Sequence, residues 1–244
     1  GPEPVLQAVL NHLYLSFKIR TVKLRKVVLI IALIILADQA LKIWIKTHYT
    51  FGDTNITNVY WFRLHFIENK GMAWGWEFGG GIGKMLLTLF RLAAVIFGTW
   101  YLGRIVKQKY SKGFIFCAAL IYAGALGNLL DSMFYGMIFE ESSYSHIAAA
   151  FPKEGYAGFL HGRVVDMLYF PIVNSHFPSW VPFVGEDRSF QFFSPIFNIA
   201  DASISTGVIT LLIFQKRFFR KEEDTLQGQA IETITEVSDR SQVL

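Results

Sequence analysis

The sequence predicts a mainly α-helical membrane protein with four transmembrane helices, a small β-rich flap and an outward-facing inserted loop. Three observations carry that prediction. The 244 residues are 52% hydrophobic and only 17% charged, and the mean hydropathy is +0.36; soluble domains carry about 25% charged residues. Four stretches reach the roughly 20 mostly apolar residues that a hydrocarbon core about 30 Å thick demands. The net charge of +4 lies in short Lys/Arg clusters beside those stretches, which favours membrane orientation over nucleic-acid binding.

Residues 1–23 form an N-terminal segment. It opens Gly1-Pro2, as a cleaved-tag scar would, and residues 5–20 have the pattern of a short amphipathic helix. The first span is expected over 24–46, the second over 85–103, the third over 113–135 and the fourth over 195–215. Lys18, Arg20, Lys23, Arg25 and Lys26 precede the first span. Arg104, Lys107, Lys109 and Lys112 occupy the 104–112 loop, and Lys216, Arg217, Arg220 and Lys221 follow the fourth span. Positive charge marks the cytoplasmic side, so both termini and the 104–112 loop should be cytoplasmic, and 47–84 and 136–194 should face outward. The tail, 216–244, turns polar and mixed in charge, with little fixed structure expected.

The outward segments have their own patterning. In NVYWFRLHFIE, Phe62, Leu64 and Phe66 alternate with Arg63 and His65. That period of two predicts a half-buried strand in a small sheet beside the membrane. The 136–194 loop is dense in aromatics, among them Phe151, Tyr156, Phe159, Tyr169, Phe170 and Trp180. Such density suits the headgroup layer and a lid lying on it.

Polar residues sit where they are most costly. Asp38 and Lys42 share a face of the first span at i, i+4 spacing, as a helix-stabilising ion pair or a functional group. Asn128 and Asp131 share a face of the third span in GALGNLLD, where Gly124 and Gly127 let another helix approach. Asp166 lies among Val164, Val165, Met167 and Leu168, a costly place for a lone carboxylate. Asn198 and Asp201 lie near the start of the fourth span. With Ser194 as cap and Pro195 at the first helical position, Asp201 would sit roughly 10 Å into that helix.

Taken singly, each of these groups is also explained by helix packing or turn capping. By topology Asn128, Asp131, Asp166, Asn198 and Asp201 all fall near the outer boundary, and carboxylates converging there in apolar surroundings point to acid–base chemistry. A thiol-based or zinc-protease reading has little support: Cys117 is the only cysteine, the six histidines are scattered, and there is no HExxH. FGGGIGKM fails the phosphate-loop pattern at Phe78 and Met85. A small transporter or proton relay using the same carboxylates is the alternative.

These motifs, ADQALK, ENKGMAWG, GALGNLLD, GRVVDM and FNIADASI, resemble in order those of lipoprotein signal peptidase (signal peptidase II), a bacterial four-span membrane aspartic protease. The resemblance covers about residues 27–215. It implies that Asp166 and Asp201 are the catalytic dyad and that Asn128, Asp131 and Asn198 shape the site. Asn69, with Gly71, Ala73 and Gly75 in the same motif, would contact the peptide from the flap, and Asp38 and Lys42 would support the core. The implied substrate is a diacylglyceryl-modified prolipoprotein, cut just before the lipidated cysteine at the outer face of the bacterial cytoplasmic membrane. Membrane lipid is the other expected partner; nucleic acid is not one, and the chain should act as a monomer. No metal or organic cofactor is implied. The chain departs from the family pattern at Ser132, where an Arg is usual, with Arg163 a candidate replacement, and in the longer segments flanking Asp166.

Overall fold

The computed structural model describes residues 22–54, 57, 59, 61–69, 80–171, 173–176, 189–192 and 195–218. The segment at 5–20, the tail beyond 218, Gly71, Ala73, Gly75 and Trp180 lie outside the described residues. Among the described residues, four helices are long and apolar enough to cross a membrane. They are α1 (Leu24–His48), α2 (Gly80–Lys107), α3 (Lys112–Leu130) and α4 (Ile199–Phe218). Leu29, Leu33 and Leu36 on α1, Phe90 and Phe97 on α2, and Ile209, Leu212 and Ile213 on α4 all point outward. A stable protein with so much exposed apolar surface needs lipid around it.

α3 lies at the centre. It starts at Ser111, whose hydroxyl accepts the Phe114 N–H, and it packs against the other three helices. Its contact with α4 is backbone-close: a Cβ at Gly124 would lie 2.2 Å from the Ala200 carbonyl oxygen. The small residue expected to admit a neighbouring helix does so here. One apolar core lies between the helices, built from Val27, Ile31, Leu102, Ile105, Phe114 and Ile115.

Past Leu130 the third span changes pitch. Asp131–Tyr135 form a π-helical turn and Gly136–Ile138 a last α-helical one. Such turns leave carbonyls free, and the first inserted segment takes them up. The Gly162 N–H donates to the Ser132 carbonyl at 2.9 Å, Leu160 N–H to Met133 at 3.2 Å, and Ala157 N–H to Gly136 at 2.9 Å. Gly162 has no room for a side chain, since a Cβ there would meet the Asp131 carbonyl oxygen at 2.1 Å. This part of the insert is therefore tied to the helix end by backbone bonds.

The expected strand is present as β1 (Arg63–Asn69), with Leu64 and Phe66 buried as the alternation requires. Its antiparallel partner is β2 (Val164–Tyr169), in a register that sets Ile67 opposite Asp166 and Asn69 opposite Val164. Beneath the sheet lies a second core of Ile45, Leu64, Phe66, Tyr135, Phe139, Val165 and Met167. A separate hairpin, β3 (Val173–His176) with β4 (Ser189–Phe192), follows β2.

Candidate active site

The site forms where β2, the outer end of α3 and the start of α4 meet. The fourth helix begins at Ile199, later than Ser194-Pro195 suggested, because Phe197 is held in extended backbone by hydrogen bonds with Leu168. Asp201 consequently lies in the first turn instead of deep in the helix. Asn198 is the cap: its Oδ1 accepts the Asp201 N–H at 2.9 Å, and Asp201 Oδ2 accepts the Asn198 N–H at 3.4 Å. This is a reciprocal capping box made from Asn and Asp. The neighbouring free N–H, that of Ala200, donates to Asp38 Oδ1 at 2.8 Å. A carboxylate is stable here because it completes a helix start, where the macrodipole favours negative charge.

Asn198 also joins the two aspartates proposed from sequence. While its Oδ1 caps α4, its Nδ2 donates to Asp166 Oδ1 at 2.7 Å. Asn128 does the complementary work from α3, donating through Nδ2 to Asp201 Oδ1 at 2.7 Å. Asn69 reaches Asp166 with a side-chain hydrogen bond from the end of β1. Asp166 is 3% exposed. Burial, then the nearby Asp201 charge, pushes its carboxyl up to about 7, against the opposing effects of Lys42, Asn198 and Asn69.

Beneath the pair, Lys42 bonds to three oxygens: Asp38 Oδ2 at 2.7 Å, Asp131 Oδ2 at 2.8 Å and Asn128 Oδ1 at 2.9 Å. All four residues are buried. Thus Asp38, Lys42, Asn69, Asn128, Asp131, Asp166, Asn198 and Asp201 come together; Gly71 lies outside the described residues.

The candidate replacement for the family Arg is overturned. Arg163 turns away to Glu68 at 3.3 Å and Glu141 at 2.8 Å. It is drawn there because those carboxylates are its near neighbours across the insert. The cations at Ser132 come from α2 instead: Arg91 Nη1 donates to Ser132 Oγ at 3.0 Å, and Lys84 Nζ lies 3.5 Å from the same oxygen. An arginine inside an apolar helix is the feature that could have revealed this. Gln39 carries more than sequence reasoning gave it. Its Nε2 donates to Asp131 Oδ1 at 2.7 Å, and its Oε1 accepts from the Tyr135 hydroxyl at 3.1 Å.

Comparison with known proteins shows the family. The family model described as signal peptidase (SPase) II matches residues 30–217. A lipoprotein signal peptidase of Porphyromonas gingivalis is 44% identical over 204 residues, which is 83% of this chain and 88% of the relative. One from Amoebophilus asiaticus is 33% identical over 188 residues, covering 76% of this chain and 75% of the relative. A solved bacterial membrane enzyme shares the fold with a TM-score of 0.53 at 23% identity, covering 83% of this chain and 96% of that one. The chain belongs to the signal peptidase II family of membrane aspartic proteases.

Proposed function

We propose that Asp166 and Asp201 are the catalytic dyad of this signal peptidase, and that Asn69, Asn128, Asp131 and Asn198 hold dyad and substrate in place. The protein is a bacterial membrane protein that removes signal peptides from prolipoproteins. The observation that carries the assignment is the single asparagine, Asn198, bonded to both carboxylates at the start of a span. Asp166, with its raised affinity for protons, holds the shared proton, and Asp201 is the anionic partner.

With a peptide bound, Asp201 takes a proton from water as the water oxygen attacks the scissile carbonyl. Asp166 gives its proton to the carbonyl oxygen. Collapse of the tetrahedral adduct breaks the C–N bond: the proton held by Asp201 leaves with the amine, and Asp166 takes back a proton from one of the two hydroxyls, which leaves the carboxylic acid and the resting dyad. Lys42, Asp38 and Gln39 fix the carboxylates and asparagines below. Both termini lie in the cytoplasm and the dyad at the outer boundary, a reading that the clustering of Lys and Arg supports. There the diacylglyceryl chains of the substrate stay in lipid while the peptide lies beneath β1. One chain supplies both aspartates, so a monomer suffices.

Asp166→Asn and Asp201→Asn should each abolish cleavage of a purified diacylglyceryl-modified prolipoprotein while the protein remains folded by thermal melt. Undiminished turnover in either variant removes that aspartate from the mechanism.

A further inference from the structure

α2 carries a polar stripe that the mechanism above does not use. Lys84, Thr88 and Arg91 fall at i, i+4 and i+7, one face of the helix. Leu86, Phe90 and Phe97 on other faces are exposed. The stripe is held inward: Thr88 Oγ1 donates to the Leu160 carbonyl at 3.0 Å, and Arg91 bonds Ser132, itself bonded to the Asn128 carbonyl at 3.0 Å. Lys84 is 6% exposed and Ser132 is fully buried. Neither Lys84 nor Arg91 forms an ion pair among the described residues.

Two cations kept in such a place with no salt-bridge partner among the described residues need an explanation. The formal charges around the site supply one. With one proton shared by the dyad, Asp38, Asp131 and the dyad carry three negative charges. Lys42 offsets only one of them. The groups facing this region are Asp38 and Lys42 from α1, Lys84 and Arg91 from α2, Asp131 from the π-helical turn, Asp166 from β2 and Asp201 from α4. Arg163, across the insert, is committed to Glu68 and Glu141. Arg91 reaches the dyad through Ser132, which bonds the Asn128 carbonyl, and through Asn128, whose side chain donates to Asp201 at 2.7 Å.

We propose that Arg91, seconded by Lys84, is a positioning residue for proteolysis. It supplies from the second span the positive charge that holds the dyad in its singly protonated form, with Ser132 as the strut that aims the guanidinium. Charge transferred from the third span to the second explains why Ser132 can be a small hydroxyl. It also explains why an arginine is kept within a lipid-facing helix. The proposal rests on the dyad reading, and its test separates the two.

The sign is fixed by electrostatics: a cation favours ionised carboxylates, so removing it raises the proton affinity of the dyad. In the full chain reconstituted in lipid, Arg91→Gln should move both limbs of the kcat pH profile upward by about one unit. At the wild-type acidic limb, kcat should fall about tenfold. Arg91→Lys should keep the limbs in place, and Arg91→Gln combined with Ser132→Arg should bring them back. A purely structural role would lower kcat at every pH and leave the limbs where they were, and that result overturns the proposal. If Arg91→Gln does not fold, the double variant decides: wild-type limbs support the proposal and displaced limbs overturn it. Failure of the dyad reading looks different, because it requires turnover to survive Asp166→Asn or Asp201→Asn.

Discussion

Lys42 and Lys46 stand one turn apart on α1, and both are wholly buried. Lys42 meets Asp38 and Asp131 and donates to Asn128, all residues of the spans. Lys46 is paired with Glu68 of β1 and donates to Ser142 of the insert at 2.6 Å. Its ammonium also lies 5.1 Å from the Tyr156 ring centroid and 5.6 Å from that of Phe139. The lower lysine ties the helices together under the dyad; the upper one ties the flap strand and the insert to the membrane domain. Removing a partner from a buried pair is costly, whereas the pair itself adds little stability over an apolar replacement. Two such pairs are therefore better understood as fixing where side chains stand than as sources of stability.

Lys42→Met gives the largest expected effect. It strands Asp38 and Asp131 together in an apolar setting, at about 3–5 kcal/mol. It also frees Asn128 from the ammonium, and Asn128 holds Asp201. Cleavage should be lost, and the melting temperature in detergent should fall sharply. A variant with wild-type turnover would show that the floor of the site is dispensable and would break the contrast with Lys46.

Lys46→Met should act on substrate more than on chemistry. Glu68 keeps Arg163 at 3.3 Å and the Ser142 hydroxyl at 2.7 Å, so the charge left behind is partly met. A cost of about 2–3 kcal/mol follows, smaller than for Lys42. The dyad bonds are untouched. Steady-state kinetics should show KM rising several-fold with kcat within about threefold. A collapse of kcat instead would mean that β1 helps place Asp166.

The two lysine sites were unequally legible in the sequence. Asp38 and Lys42 stood out because ionised groups inside a span are costly, and i, i+4 spacing put them on one face. The β1 strand stood out because Leu64 and Phe66 alternate with polar neighbours. Its pairing with β2 did not, since no local pattern records which distant strand answers it. Lys46 lies at the end of the first span, where a lysine is ordinary. Its burial comes from an insert that folds back through Phe139 and Tyr156. Ser194-Pro195 offered a better local helix start than Asn198, yet Asn198 is the cap because β2 holds Phe197 extended. Arg91 is legible in principle as an ionised group within a span, but the apolar run around it dominates the local pattern.

Asp166 is where the two regions meet: its backbone belongs to the sheet that Lys46 anchors, and its carboxyl feels Lys42. Its carboxyl is pushed up to about 7 in the folded protein from an ordinary 3.8. The folded state therefore binds more protons than the unfolded state between those two values. Stability must then decline as pH rises from about 4 to about 7, and stay flat above. Asp166→Asn removes the ionisable group and should remove that slope. The variant should be more stable than wild type above neutral pH by about 4 kcal/mol, the full difference that linkage allows between 3.8 and about 7. Near pH 4 the difference should vanish. Melts of the two proteins across this window measure it directly. A variant no more stable than wild type in alkali would mean that Asn198 and Asn69 hold the ionised Asp166 as well as water does, and that the dyad's proton is held elsewhere.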